Sequence, residues 1–382
     1  MSRIQEINPD RIRWCCDDYD VTPEKLADHL KISRARFDAM MAGEDGLTFN
    51  QIRKIAKYFN RGVLFFLEPG PVDENRVRSA QFRTIANERP DLSPELKAII
   101  ERVETHRDLF LSLQEDLDEE DRVGFEPPDV PQRSPKRAAA IVRDWLSLGD
   151  ENSFNSYREA IEAKRVLVFR SIGYRGAWRI PRKSPIVGFS VYHETCPVIL
   201  IKKQTFDTRQ SFTLMHELAH VVLHRSSFID DDESLHSRQG RERAANSFAG
   251  HLLVPDELLG RIETESLPNT VAGYDEWASE YRNQWGVSTE VILRRMLDSG
   301  ALDQTAYQAY RDWRKRQPLP EQSGGSRQYR AREPLHIFGG RFVRTVLDAL
   351  HARQITLNKA SAYLDNLKVK DVRALEAYVA AI

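Results

Sequence analysis

The chain is poor in cysteine. Its three, Cys15, Cys16 and Cys196, are an odd number without CxxC spacing, which argues against a disulfide framework and a cysteine metal site. It also lacks a long apolar run. No stretch approaches the ~20 residues of a membrane span, and the opening MSRIQEINPDRIRW has no apolar centre of the kind that marks a secretion signal. A reducing, cytoplasmic setting away from any membrane is the expectation. Neither charge is in excess: 56 Lys and Arg stand against 57 Asp and Glu, a formal charge of -1. Nucleic acid would therefore have to be met by a local patch, not by the chain as a whole. At 382 residues one ordinary core does not suffice, and roughly two to three domains are implied.

Amphipathic spacing divides the chain. From Thr22 to Leu67 it predicts short helices: Pro23 to Leu30, a turn at Lys31 and Ile32, a second helix capped by Ser33, and a third from Phe49 to Phe59. Eight Lys/Arg against five Asp/Glu make this stretch mildly basic. The spacing of Ala27, Leu30, Ile32 and Phe37 is that of a helix-turn-helix. A long helical pattern from Pro94 to about Leu117 gives way to the acidic, proline-rich EDLDEEDRVGFEPPDVPQRSP, a linker by composition. Short β-branched segments at Arg165–Phe169, Ile186–Tyr192 and Val198–Lys202 predict a small sheet. Beyond Pro255 the pattern is helical, the polar, basic stretch Arg311–Arg332 reads as a second linker, and a last helical unit follows. The expected domains are 1–70, a helical connector and linker over 71–134, a central domain over 135–310, a basic linker over 311–333, and a helical domain over 334–382.

The chemistry lies just after the predicted strands. Within SFTLMHELAHVVLH, His216-Glu217-Leu218-Ala219-His220 is a HExxH motif in a helical pattern, with Ser211 and Thr213 as candidate caps. Residues four apart share one helical face, so both imidazoles can meet one ion at ~2.0–2.1 Å. Glu217, one step round, is placed beside the ion, where it can take a proton from a water that zinc activates and pass it to a leaving amine. A catalytic zinc site needs a third protein ligand and an open position. Glu242 is the choice, because it opens GRERAANSFAGHLLVP, whose Ala245, Phe248, Ala249 and Leu252 mark a second amphipathic helix able to pack on the first. The plain alternative is a pair of surface histidines on an amphipathic helix. His224 extends the face but lies ~12 Å along a straight helix from His216, so it is assigned to packing or to an outer shell. His236 and His251 read as structural or solvated, and Asp230 to Glu233 as an exposed acidic loop.

These residues resemble the ImmA/IrrE zinc metallopeptidases of phage-like elements and bacterial stress responses. FTLMHELAHVVLH is similar to the family's FTLAHELGHLLLH, and ERAANSFAGHLLVP to its ExxANxFAxxLLMP, whose first glutamate is the third zinc ligand. That implies Glu242 in this role, with Ala219 where the family often has glycine. Gln81–Thr84 and Trp285–Gly300 are similar to segments flanking the peptidase in long members. Such members commonly begin with a phage-repressor (XRE) type helix-turn-helix, which Thr22–Leu67 resembles, although Met40-Met41-Ala42-Gly43 replaces the usual Trp-Glu-x-Gly.

The expected fold is α+β and mostly α: a zincin-like metallopeptidase core with a small β-sheet, an N-terminal helix-turn-helix and a C-terminal helical domain. The expected activity is Zn2+-dependent endopeptidase cleavage of a protein, and the resemblance implies a transcriptional repressor cut in a stress or mobile-element response. His216, His220 and Glu242 are the expected metal ligands, Glu217 the base, and Arg34 and Arg36 the candidate DNA contacts. Tyr192 and His193 are candidate oxyanion donors. The N-terminal domain and the acidic segment Glu115–Asp121 are candidates for restraining basal activity. The rival reading is a DNA-binding transcriptional regulator whose peptidase-like domain serves as a sensor or docking module.

Overall fold

The computed structural model describes residues 3–59, 61–73, 92–117, 124–173, 176–237, 239–318 and 327–381. The resemblance at Gln81–Thr84, residues 118–123 of the acidic run and the centre of the second linker lie outside these residues. The chain divides into two compact units, Met1–Arg102 and Val103–Ile382.

The first unit is built from α1 (Pro9–Asp18), α2 (Pro23–Leu30), α3 (Arg34–Met41) and α4 (Phe49–Tyr58), with a two-residue pairing of β1 (Arg3–Ile4) against β2 (Leu47–Thr48). Thr22 caps α2 by accepting from the Lys25 amide, and Lys31 ends it in the left-handed region at φ 56°. Ser33 occupies the N-cap position of α3 but its side chain makes no capping bond. Thr48 and Gln51 form a reciprocal capping box at the head of α4. Leu26, Ile32, Phe37, Ile52 and Phe59 meet in a closed core.

The second unit holds a four-stranded sheet of order β3-β5-β4-β6, made of β3 (Leu167–Ser171), β4 (Ile186–Val191), β5 (Val198–Lys202) and β6 (Phe228–Asp231). β3 runs parallel to β5, and β4 runs antiparallel to both β5 and β6. Alternate residues along the strands serve two buried faces. Val168, Ile199 and Ile201 pack with Leu214, Met215 and Leu218, while Phe169 meets Trp178, Phe338 and Phe342 in an aromatic cluster with centroids 5.5–5.8 Å from it.

The helices of this unit include α5 (Pro94–Asp116), within which the division of the chain falls, and α6 (Pro135–Trp145), α7 (Phe154–Ala163), α8 (Asp207–Ala219) and α9 (Gly240–Leu253). They continue with α10 (Thr289–Asp298), α11 (Gln304–Arg316), α12 (Glu333–His351), α13 (Leu357–Tyr363) and α14 (Val369–Val379). Arg311–Arg316 complete α11 instead of opening a linker. Residues 334–382 lie in the same unit as the sheet, and α12 packs on β3. Arg158 of α7 secures that packing by donating to the carbonyls of Leu335 and Ile337 at 3.0 and 3.1 Å. The fold is thus α+β and mostly helical, with a zincin-like peptidase core. No helix among the described residues is long and apolar enough to cross a membrane.

Candidate metal centre

The site forms where α8, α9 and the edge strand β6 converge. α8 begins at Asp207, which Arg170 holds at 2.7 Å and whose charge suits the positive end of the helix. Ser211 and Thr213, expected as caps, lie inside the helix and bond back to the carbonyls four residues earlier at 3.4 Å. At His220 the helix widens into a π-type turn that closes at Arg225 in the left-handed region, a distortion found frequently at functional sites.

His216, Glu217 and His220 are fully buried. The Nε2 atoms of His216 and His220 lie 3.1 Å apart, and Glu242 Oε2 from α9 lies 3.1 Å from the first and 3.7 Å from the second. The α9 face that brings Glu242 there is the one its sequence spacing marks: Ala245, Phe248, Ala249 and Leu252 are all fully buried. A fourth donor arrives from β6. Asp230 Oδ2 stands 3.4 Å from His216 Nε2 and 3.3 Å from His220 Nε2. Its side chain is 2% exposed, so it belongs to the site and not to an exposed acidic loop. Asp231 is buried too, accepting from the amide of Ser234 at 2.9 Å.

This donor set fits a metal ion. Four ligands ~2.0–2.1 Å from one centre at tetrahedral angles stand about 3.3–3.4 Å from each other; the five separations that involve an imidazole are 3.1–3.7 Å, and all four donors lie within 4.8 Å of one another. Asp230 Oδ2 is also buried with no hydrogen bond among the described residues, a cost that a cation removes. The electrostatics agree. Burial opposes charge on His216, but the carboxylates of Asp230 and Glu242 outweigh it and push the imidazole up to about 9. Burial likewise works to raise Asp230 and Glu242, but both imidazoles hold them below the ordinary carboxylate range. Two carboxylates here demand positive charge, which a proton supplies when no ion does.

Glu217 faces β4. A Cβ built on Gly188 would stand 2.8 Å from Glu217 Oε1, so glycine at 188 makes room for this carboxyl. Burial, and next the charge of Asp230, raise it well above the ordinary glutamate range, with the nearby Ser190 hydroxyl acting in the opposite direction. His224 stands behind His220, with Nδ1 to Nδ1 at 2.9 Å, and burial lowers its imidazole to about 4. Neutral, it can fix the tautomer of His220 and leave Nε2 free to bind.

The remaining candidates lie apart from this cluster. His193 is turned to Thr195 at 2.9 Å, and Tyr192 packs on the apolar core. His236 lies 4.0 Å from Glu290, and His251 contacts the Ser247 carbonyl. In the first unit Arg34 pairs with Asp28 at 2.7 Å, and Arg36 is half-buried on the same helix.

A cavity of about 610 Å³ opens one helical turn from the donors, lined by Phe212 and Thr213 of α8, Arg243, Asn246 and Ser247 of α9, and Tyr307 of α11. Its size is that of a ligand cleft.

Residues 182–297 match the family model described as the IrrE N-terminal-like domain, Peptidase_M78. The matched span takes in β4, β5, the HExxH helix, β6, α9 and most of α10. This part of the chain is thus similar to ImmA/IrrE metallopeptidases, which supports a peptidase, and with the four donors it suggests a metal. A search of curated proteins found no match.

Proposed function

We propose that this chain is a zinc-dependent endopeptidase in which His216, His220 and Glu242 hold the ion and Glu217 moves the proton. The observation that carries the reading is the convergence of two Nε2 atoms and the Glu242 carboxylate within 3.1–3.7 Å beside a cleft. Two nitrogens and carboxylate oxygen are a donor set that suits zinc. A bound zinc ion supplies a Lewis acid and water acidified to a pKa of ~7.

The chain's own residues do the rest. His224 keeps His220 oriented, and the packing of α9 on α8 sets Glu242 against both imidazoles. Glu217, buried beside Gly188, accepts the proton of the attacking water and delivers it to the leaving amine. The cleft between α8 and α9 takes the residues flanking the peptide bond. Three buried, unpaired thiols, Cys15, Cys16 and Cys196, suit a reducing cytoplasm.

The resemblance to ImmA/IrrE proteins and the match to Peptidase_M78 support a protein substrate, which we take to be a transcriptional repressor cleaved in a stress, phage or toxin-antitoxin setting. The helices α2 and α3 suit a helix-turn-helix that docks DNA or a partner, with the exposed, ion-paired Arg34 and the half-buried Arg36 as its candidate contacts. Comparing protein fragments in the native host between wild type and Glu217→Gln tests the substrate: a few fragments confined to wild type name it.

Asp230 favours a second reading. A set of four protein donors is the mark of a structural zinc site, as in a DNA-binding regulator that uses a peptidase-like domain as a sensor. Such a regulator tolerates Glu217→Gln; a peptidase does not.

A further inference from the structure

Three protein ligands would leave one corner of a tetrahedron for water. Here a side chain stands at that corner. Asp230 Oδ2 is 3.3 Å from one imidazole Nε2 and 3.4 Å from the other, and all four donor atoms fall within 4.8 Å of one another. An outer carboxylate that merely orients a metal-bound histidine accepts from the ring nitrogen remote from the ion. Asp230 instead faces Nε2 of both rings, the same atoms that face Glu242, while the remote nitrogen of His220 is occupied by His224. The position of Asp230 is that of a ligand.

The sheet explains how it gets there and how it can leave. Asp230 sits opposite Gly188 on the face under α8, and an extra residue in β4 between Ile186 and Gly188 ends the regular pairing just past it. Bulges of this kind occur beside active sites, where they terminate pairing and re-aim side chains. β6 is the edge strand, paired on one side alone, and is followed at once by a turn. Its end can therefore shift without unzipping the rest of the sheet.

We propose that Asp230 is a fourth protein ligand, so that the metal rests in a closed site and becomes competent for hydrolysis only when the β6 carboxylate withdraws. This rests on the metallopeptidase reading and adds latency to it. A substrate that draws the end of β6 aside, or a partner that does so, would open the position that water needs.

The test uses the full chain stripped by a chelator and reloaded with cobalt(II), whose absorption bands report its ligands, and azide as a small probe anion. The wild-type spectrum is expected not to respond to azide. Asp230→Ala is expected to bind cobalt at least about tenfold more weakly and to shift its bands when azide enters the vacated position. Asp230→Asn keeps the shape of the side chain and is expected to show both changes in smaller degree, which separates a lost ligand from a lost fold. An azide-responsive wild type, or variants that hold cobalt as tightly as wild type, would overturn the fourth-ligand assignment. A wild type that takes up no cobalt at all would instead overturn the metal reading beneath it.

Discussion

His224 Nδ1 lies 2.9 Å from His220 Nδ1, on the ring nitrogen of His220 that does not face the other three donors. The two residues lie four apart on one helical face, and the helix widens into a π-type turn between them. Removing an outer partner of a ligating histidine typically costs 10–100-fold in metal affinity. His224→Ala is expected to lose about that much in a chelator competition, with His224→Asn recovering part of it. Unchanged affinity would mean that His220 is held by packing against Phe228, whose ring lies 4.1 Å away.

Gly188→Ala should separate binding from chemistry. Its new Cβ would press on Glu217 Oε1 at 2.8 Å and Thr213 Cγ2 at 3.1 Å, and no metal donor is among its three nearest atoms. Displacing a catalytic group by about an ångström can cost about 10²-fold in rate. The variant is expected to keep its metal and lose hydrolysis on that scale, with a stability loss of about 1–3 kcal/mol. Full activity in a peptide assay would show that Glu217 does not depend on this space.

Metal uptake should release protons. The carboxylates of Asp230 and Glu242, outweighing burial, push His216 up to about 9 in the metal-free protein, so near pH 7 the ring is charged. A ligating imidazole must be neutral. Binding therefore expels about one proton or more near neutrality, and apparent affinity rises with pH until His216 has lost its proton near pH 9, then levels off. Calorimetry in buffers of different ionisation heat reads the proton count directly, and a count of zero near pH 7 contradicts the assignment.

The packing of α12 on the sheet depends on a buried ion pair. Arg158 and Glu162, with side chains 6% and 4% exposed, lie 3.0 Å apart, and Glu162 also accepts from the Arg341 amide at 3.2 Å. Gly339, with φ at 81°, interrupts α12 beside them, where any Cβ would run into the Glu162 carboxylate. Glu162→Ala strands a buried guanidinium and is expected to cost about 3–5 kcal/mol. Denaturant unfolding checks this, and a loss below about 1 kcal/mol would show the pair to be dispensable.

Much of the site is legible in local spacing, and what is not depends on contacts distant in sequence. The four-residue interval of HExxH and the apolar face of α9 are helical periodicities, read directly from the chain. The strand Val198–Lys202 appears where its β-branched run places it, whereas β3 begins two residues later than expected. Asp230 was hidden because FIDDDES has the composition of a solvated loop, and only pairing with β4 forty residues away in the chain makes Phe228–Asp231 a buried strand. His224 stands in the outer position that its spacing suggests, one turn beyond His220 and off the donor cluster. The basic composition of Arg311–Arg332 suggested a linker, yet Tyr307 and Tyr310 bury one face of α11 and carry the helix to Arg316.

The most direct test is metal content and peptide hydrolysis measured together on purified wild type and Glu217→Gln. The account predicts about one zinc per chain in both proteins, and a loss of about 10²–10⁴-fold in hydrolysis for the variant. Equal hydrolysis above background by the two proteins, or a wild type that holds no metal, would contradict it.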